Sequence, residues 1–175
     1  GDNAIFEYID GKLTIHHSPQ FKVMTNSPIF DKQIALNEYW GQIGSKMLPG
    51  TNRASDRFAR ASFYNDSTKQ TDDIDSALAI VFSVIRNCSV PFSMQTDGQP
   101  NISTTLWRTV ADQKNLVYYF ESSFGLNLLW IDLKKLNLNE TGKVLKLNLV
   151  GKERITGSAE ESLVPAQPFK FAGMK

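Results

Sequence analysis

Ile74, Ala77, Leu78, Val81, Phe82 and Ile85 recur at helical spacing along one face, and from Ser103 onward this rhythm gives way to short runs of β-prone residues. A chain that changes period in this way has to combine helix with sheet. Thr71 and Asp72 stand where a cap and a first-turn acid belong, so the helix is expected to begin just after them. Downstream, residues 104–111, 116–121 and 126–132 are separated by polar turns at 112–114 and 122–125, which predicts an antiparallel meander. The run Leu116-Val117-Tyr118-Tyr119-Phe120 lacks alternation, as expected of a strand covered on both faces. Together these features predict an α+β fold in which helices and antiparallel sheets are layered.

The amino end adds two β-prone runs, 4–8 and 12–16, around Asp10-Gly11, a dipeptide suited to the positive φ angles of a type I′ hairpin. Residues 21–25 read as a third strand. Ser27 and Pro28 then supply a cap and a first-turn proline for a helix running to Tyr39 or Trp40, which sets Asn26 at a strand-to-helix junction. Three glycines and a proline between Gly41 and Gly50 predict a loop, followed by a short helix from Ser55 to Tyr64. Residues 144–150 read as a last strand.

Composition narrows the function. The 175 residues are 41% hydrophobic and 21% charged, which suits one globular domain spanning 1–175. A net charge of +1, with both signs mixed along the chain, argues against nucleic acid or an anionic membrane as partner. The longest apolar stretch, around Ala77 to Ile85, is too short and interrupted to span a bilayer. A single cysteine, Cys88, excludes an internal disulfide, and His16-His17 without companion cysteines makes a poor metal site, so neither metal nor cofactor is expected.

Three stretches carry chemistry. Leu48-Pro49-Gly50-Thr51-Asn52-Arg53-Ala54-Ser55-Asp56-Arg57-Phe58-Ala59-Arg60 gathers three arginines behind a Pro-Gly turn. Thr25-Asn26-Ser27-Pro28-Ile29-Phe30-Asp31 precedes it, and Ser103-Thr104-Thr105-Leu106-Trp107-Arg108 follows. In this order they resemble the choloylglycine hydrolase family, amidases with an amino-terminal nucleophile that include bile salt hydrolases and penicillin V acylases. The resemblance covers almost the whole chain and matches the carboxyl-terminal half of such an enzyme. It implies part of a four-layer αββα sandwich and cleavage of a linear amide into an acid and an amine.

The resemblance also implies site residues. Asn26 holds the position of the asparagine in Thr-Asn-x-Pro-x-Phe-Asp, whose side-chain amide helps to form the oxyanion hole; by itself, the residue reads as a helix cap. Arg57 holds the position of the arginine in Ser-x-x-Arg-Phe, beside the nucleophile, where a permanent cation favours a thiolate or orients a carbonyl. Arg53 and Arg60 lie outside that pattern and read as structural. Cys88 follows a helix end, where a thiol is not activated, and reads as structural too. His16 and His17 point to opposite strand faces and read as a surface pair. Trp107 reads as core, as do most of Phe30, Phe58, Phe63 and Tyr64.

The implied nucleophile is a cysteine expected in an amino-terminal half outside this sequence. Implied partners are a small-molecule amide, that amino-terminal half, and further copies in a homo-oligomer. The Leu-Pro-Gly-Thr-Asn-Arg-Ala run is similar to Gram-negative members, which implies a periplasmic or secreted protein. Penicillin V, conjugated bile salts and N-acyl homoserine lactones all fit as substrates. The competing reading is a binding or structural module derived from the same fold.

Overall fold

A computed structural model of the chain describes residues 2–43, 47–93, 104–139, 142–149 and 154–171. The chain divides into two compact units, Gly1–Thr104 and Thr105–Lys175.

The first unit opens with the expected hairpin, β1 (Ala4–Ile9) against β2 (Lys12–His17), in register Ile9↔Lys12. Asp10 (φ 50°) and Gly11 (φ 77°) both take the left-handed turn conformation that the Asp-Gly dipeptide allows. Strand alternation turns Ile5 inward, where it meets Phe30 and Phe58, with Phe21, Val23 and Ile34 packed around them. Phe21 and Phe58 both meet the Phe30 ring edge-on, at 4.9 and 6.1 Å.

Three expectations need correction here. Residues 21–25 are irregular rather than a strand: the N–H and C=O of Thr25 are taken by the side chain of Gln33, which leaves no ladder for a neighbouring strand to complete. Helix α1 (Phe30–Ile43) begins later than the Ser27-Pro28 cap implies. The Ser27-Pro28 peptide is cis, and the Phe30 N–H donates to both carboxylate oxygens of Glu7, so a strand residue caps the helix in trans. At its other end α1 runs through Gly41, so the loop starts later than expected.

Helix α2 (Ala54–Ser67) packs between α1 and α3 (Ile74–Asn87). The N-cap of α3 is Asp73, one residue after the expected acid, and its carboxylate accepts the Ser76 N–H at 2.8 Å. The Ser76 hydroxyl first, and then this N–H, draw the Asp73 carboxyl below its ordinary pKa. Within this unit α3 packs against α2 and buries Phe82, while Ile74 and Val81 on its apolar face stay exposed.

The second unit contains the meander: β3 (Trp107–Asp112), β4 (Val117–Ser122) and β5 (Leu128–Asp132). The sheet is mixed rather than purely antiparallel, because β7 (Gly157–Ser158) joins β5 in parallel to give the order β3-β4-β5-β7. The expected strand at 144–150 shrinks to β6 (Leu145–Lys146), paired with β8 (Val164–Pro165); Val150 lies outside the described residues. Tyr118 is 42% exposed and Trp107 58%, so within this chain β4 is not covered on both faces and Trp107 is not core. Among the described residues, no helix is long and apolar enough to cross a membrane.

Candidate active site

The loop 25–29 leaves the aromatic core at Val23 and ends at the start of α1, placing Asn26 on an exposed shoulder. The irregular segment 47–53 feeds the first turn of α2, which carries Arg57. Asn26 and Arg57, 31 residues apart in sequence, are thereby brought together: Arg57 Nη2 lies 2.6 Å from Asn26 Oδ1. A guanidinium can only donate, so the amide must turn its carbonyl toward Arg57 and hold its NH₂ outward. Arg57 Nε donates in turn to the Asn52 carbonyl at 3.2 Å, which fixes the plane of the fork. The result is an oriented amide donor beside a permanent cation.

Arg60 is one turn further along and buried. It donates to the carbonyls of Pro49 and Thr51, both at 2.8 Å, and so ties the incoming loop to α2. Its reading as structural fits these bonds. Arg53 is the exposed N-cap residue of α2 and makes no side-chain cap bond. Cys88 caps the carboxyl end of α3, with Sγ 3.6 Å from the Arg57 carbonyl oxygen. Its thiol is pushed above its ordinary pKa, chiefly by burial, while Arg60 and Arg57 pull weakly the other way. That environment suits a structural thiol rather than a nucleophile.

The histidines divide. His17 is exposed and pairs with Asp2 at 2.8 Å, as a surface residue would. His16 is not a surface residue: its side chain is 12% exposed, with Nε2 3.0 Å from Glu7, Nδ1 3.5 Å from Asp31, and the ring against Phe30. Alternation explains the split, since the inward strand face carries both Glu7 and His16. No cluster of metal-ligating side chains occurs among the described residues. Phe30 and Phe58 are core, and Phe63 and Tyr64 form a half-buried edge-to-face pair at 5.6 Å. In the second unit Arg108 pairs with Glu121 across the strands at 3.1 Å. Two residues that shape the Asn26 loop, Glu7 and Gln33, escape sequence reasoning. The available signal was weak: a polar residue on the same helix face as Phe30 and Ile34, and an acid between the apolar residues of a strand.

Residues 1–146 match the model of the linear amide C-N hydrolases, choloylglycine hydrolase family. The chain belongs to this family. Over 191 aligned residues, it is 51% identical to a penicillin V acylase of Pectobacterium atrosepticum, covering 99% of this chain and 50% of that protein. Its fold superposes on the penicillin V acylase of Agrobacterium tumefaciens with a TM-score of 0.92 and 56% identity, over 99% of this chain and 56% of the other. A variant of conjugated bile acid hydrolase from Clostridium perfringens shares the fold with a TM-score of 0.62 at 23% identity, covering 86% of this chain and 54% of that one. The fold class is therefore α+β, part of the αββα sandwich of the family. The chain spans about half the length of the relatives it matches.

Proposed function

We propose that this chain is part of a penicillin V acylase-type amidase, in which Asn26 donates to the oxyanion and Arg57 orients it. The contact between Asn26 Oδ1 and Arg57 Nη2 carries the reading, because it leaves the amide NH₂ as the outward donor. In the proposed reaction a cysteine thiolate, supplied from outside residues 1–175, attacks the carbonyl carbon of a linear amide. The carbonyl oxygen gains the negative charge, which the Asn26 NH₂ stabilises. Collapse of the tetrahedral intermediate breaks the C–N bond, the amine leaves with a proton, and water then releases the acid from the thioester. A neutral amide suits this task because it holds no ground-state anion of its own.

Arg57 contributes twice in this scheme: it locks the Asn26 amide, and its guanidinium places a positive charge beside the reacting carbonyl and sulfur. The similarity to two penicillin V acylases favours penicillin V over conjugated bile salts as substrate. Assembly with further copies and residence in the periplasm belong to the same proposal, on the family resemblance alone.

The test is amine release from penicillin V and from a glycine-conjugated bile salt by the full-length protein that contains this chain. Penicillin V is the expected better substrate, and Asn26→Ala should lower kcat by roughly 100-fold or more, as the loss of an oxyanion donor does elsewhere. Unchanged turnover in Asn26→Ala would remove that residue from the mechanism.

A further inference from the structure

We propose that Gln33 is a positioning residue for amide hydrolysis: acting through Thr25, it sets where Asn26 stands opposite Arg57. The inference rests on the reading of Asn26 as an oxyanion donor. Among the described residues, two side chains are both polar and buried, Gln33 at 1% exposure and Arg60 at 8%. Each serves one of the two segments that carry the Asn26–Arg57 contact.

Gln33 lies on α1, one turn after Phe30 and beside the aromatic core, where an apolar side chain would fill the space without any polar group to satisfy. Its amide is instead fully used on the loop. Oε1 accepts from Thr25 N at 3.1 Å and lies 2.8 Å from the Thr25 hydroxyl; Nε2 donates to Thr25 O at 2.9 Å and also to Pro28 O. Pairing with both backbone groups of one residue reproduces a rung of a β-ladder with a side chain, which is why this segment is held without being a strand. The bonded residues, Thr25 and Pro28, flank Asn26 on both sides. The loop's backbone is thereby fixed while the Asn26 side chain remains exposed.

The same network reaches the second segment. Thr25 Oγ1 also lies 2.9 Å from the carbonyl of Ala54, the first residue of α2 and three residues before Arg57; its single proton serves either this carbonyl or Gln33. Gln33, Thr25 and Ala54 therefore connect α1 to α2 beneath the contact that the substrate would meet. An active-site donor misplaced by about 1 Å costs roughly 100-fold in rate, so a buried amide that removes this freedom acts on kcat rather than on substrate affinity.

Gln33→Met keeps the length and volume and deletes the bonds of the Gln33 amide to Thr25 and Pro28. In the full-length protein, assayed with penicillin V, it should lower kcat roughly tenfold or more while KM changes less than about threefold. Thr25→Val, a milder change on the loop, should show the same split to a smaller degree and serves if Gln33→Met does not fold. The decisive measurement is a double-mutant cycle. In an Asn26→Ala background either variant should cost less than about twofold more, because the donor it positions is already gone. Equal losses in both backgrounds, or an unchanged kcat in the folded variants, would overturn the inference. Two outcomes separate it from the reading beneath it. Asn26→Ala with full turnover overturns both, whereas a crippled Asn26→Ala beside an unaffected Gln33→Met and Thr25→Val overturns the role of Gln33 alone.

Discussion

The two units of the chain organise their residues in opposite ways. The first closes on itself: Ile5, Phe30 and Phe58 form a core, and the buried Gln33 and Arg60 spend their polar groups on the loops at 25–28 and 49–51. The second is a four-stranded sheet that buries Leu129 and Ala159 but leaves Trp107, Tyr118 and Phe124 substantially exposed. Among its described residues, ladders, turns and a cross-strand ion pair supply the order, and only Leu129 and Ala159 are buried. A region with buried, hydrogen-bonded polar side chains can hold an exposed Asn and Arg in a fixed relation. A region held by backbone pairing presents faces instead of an aimed group.

This contrast can be broken by substitution. Phe30→Ala has the largest expected effect, a loss of about 3 to 5 kcal/mol in denaturant unfolding, because the cavity opens where Ile5, Phe21, Phe58 and His16 converge. A loss under about 1 kcal/mol would mean that the first unit has no specific core. Arg60→Met comes next. It strands the Pro49 and Thr51 carbonyls and should cost about 1 to 3 kcal/mol, with the 47–53 segment exchanging its amides faster.

Acid sharpens the comparison in the second unit. The Glu160 carboxyl is held at about 2 rather than 4.5, first by the Ser158 hydroxyl and then by the Asp132 N–H at 2.7 Å, with Lys135 nearby. A folded-state pKa below the unfolded one stabilises the fold above the unfolded value, and this is lost as pH falls from 4.5 toward 2. Glu160→Gln should therefore lower the thermal midpoint at neutral pH and match the parent near the acid end; a pH-independent difference would show that charge plays no part. The smallest effect is expected for Tyr118→Ser, within about 0.5 kcal/mol of the parent, since that side chain is exposed. A much larger loss in the full-length protein would show that another segment covers this face.

Local rules carried much of the fold. The Asp-Gly hairpin, the period of α3 and the turn-separated meander were legible because each depends on neighbours in sequence. The errors share one cause. Residues 21–25 look β-prone, yet Thr25 bonds Gln33, and Ser27-Pro28 looks like a cap, yet Glu7 does the capping from 23 residues before Phe30. Trp107 is apolar but exposed, and His16 is polar but nearly buried, because burial depends on what packs above a strand and not on residue type.

By itself, the sequence determined the α+β class, the hairpin, the helix and meander segments, and the family motifs in which Asn26 and Arg57 stand. Only the tertiary structure decided that these two side chains touch, and that the Asn26 amide turns its carbonyl toward Arg57. Only it revealed Gln33 and Glu7 as the groups that hold the loop. The reason is range. Propensity and periodicity act over one or two turns of chain, whereas hydrogen bonds between side chains and distant backbone form only after the core has brought α1, α2 and the hairpin together.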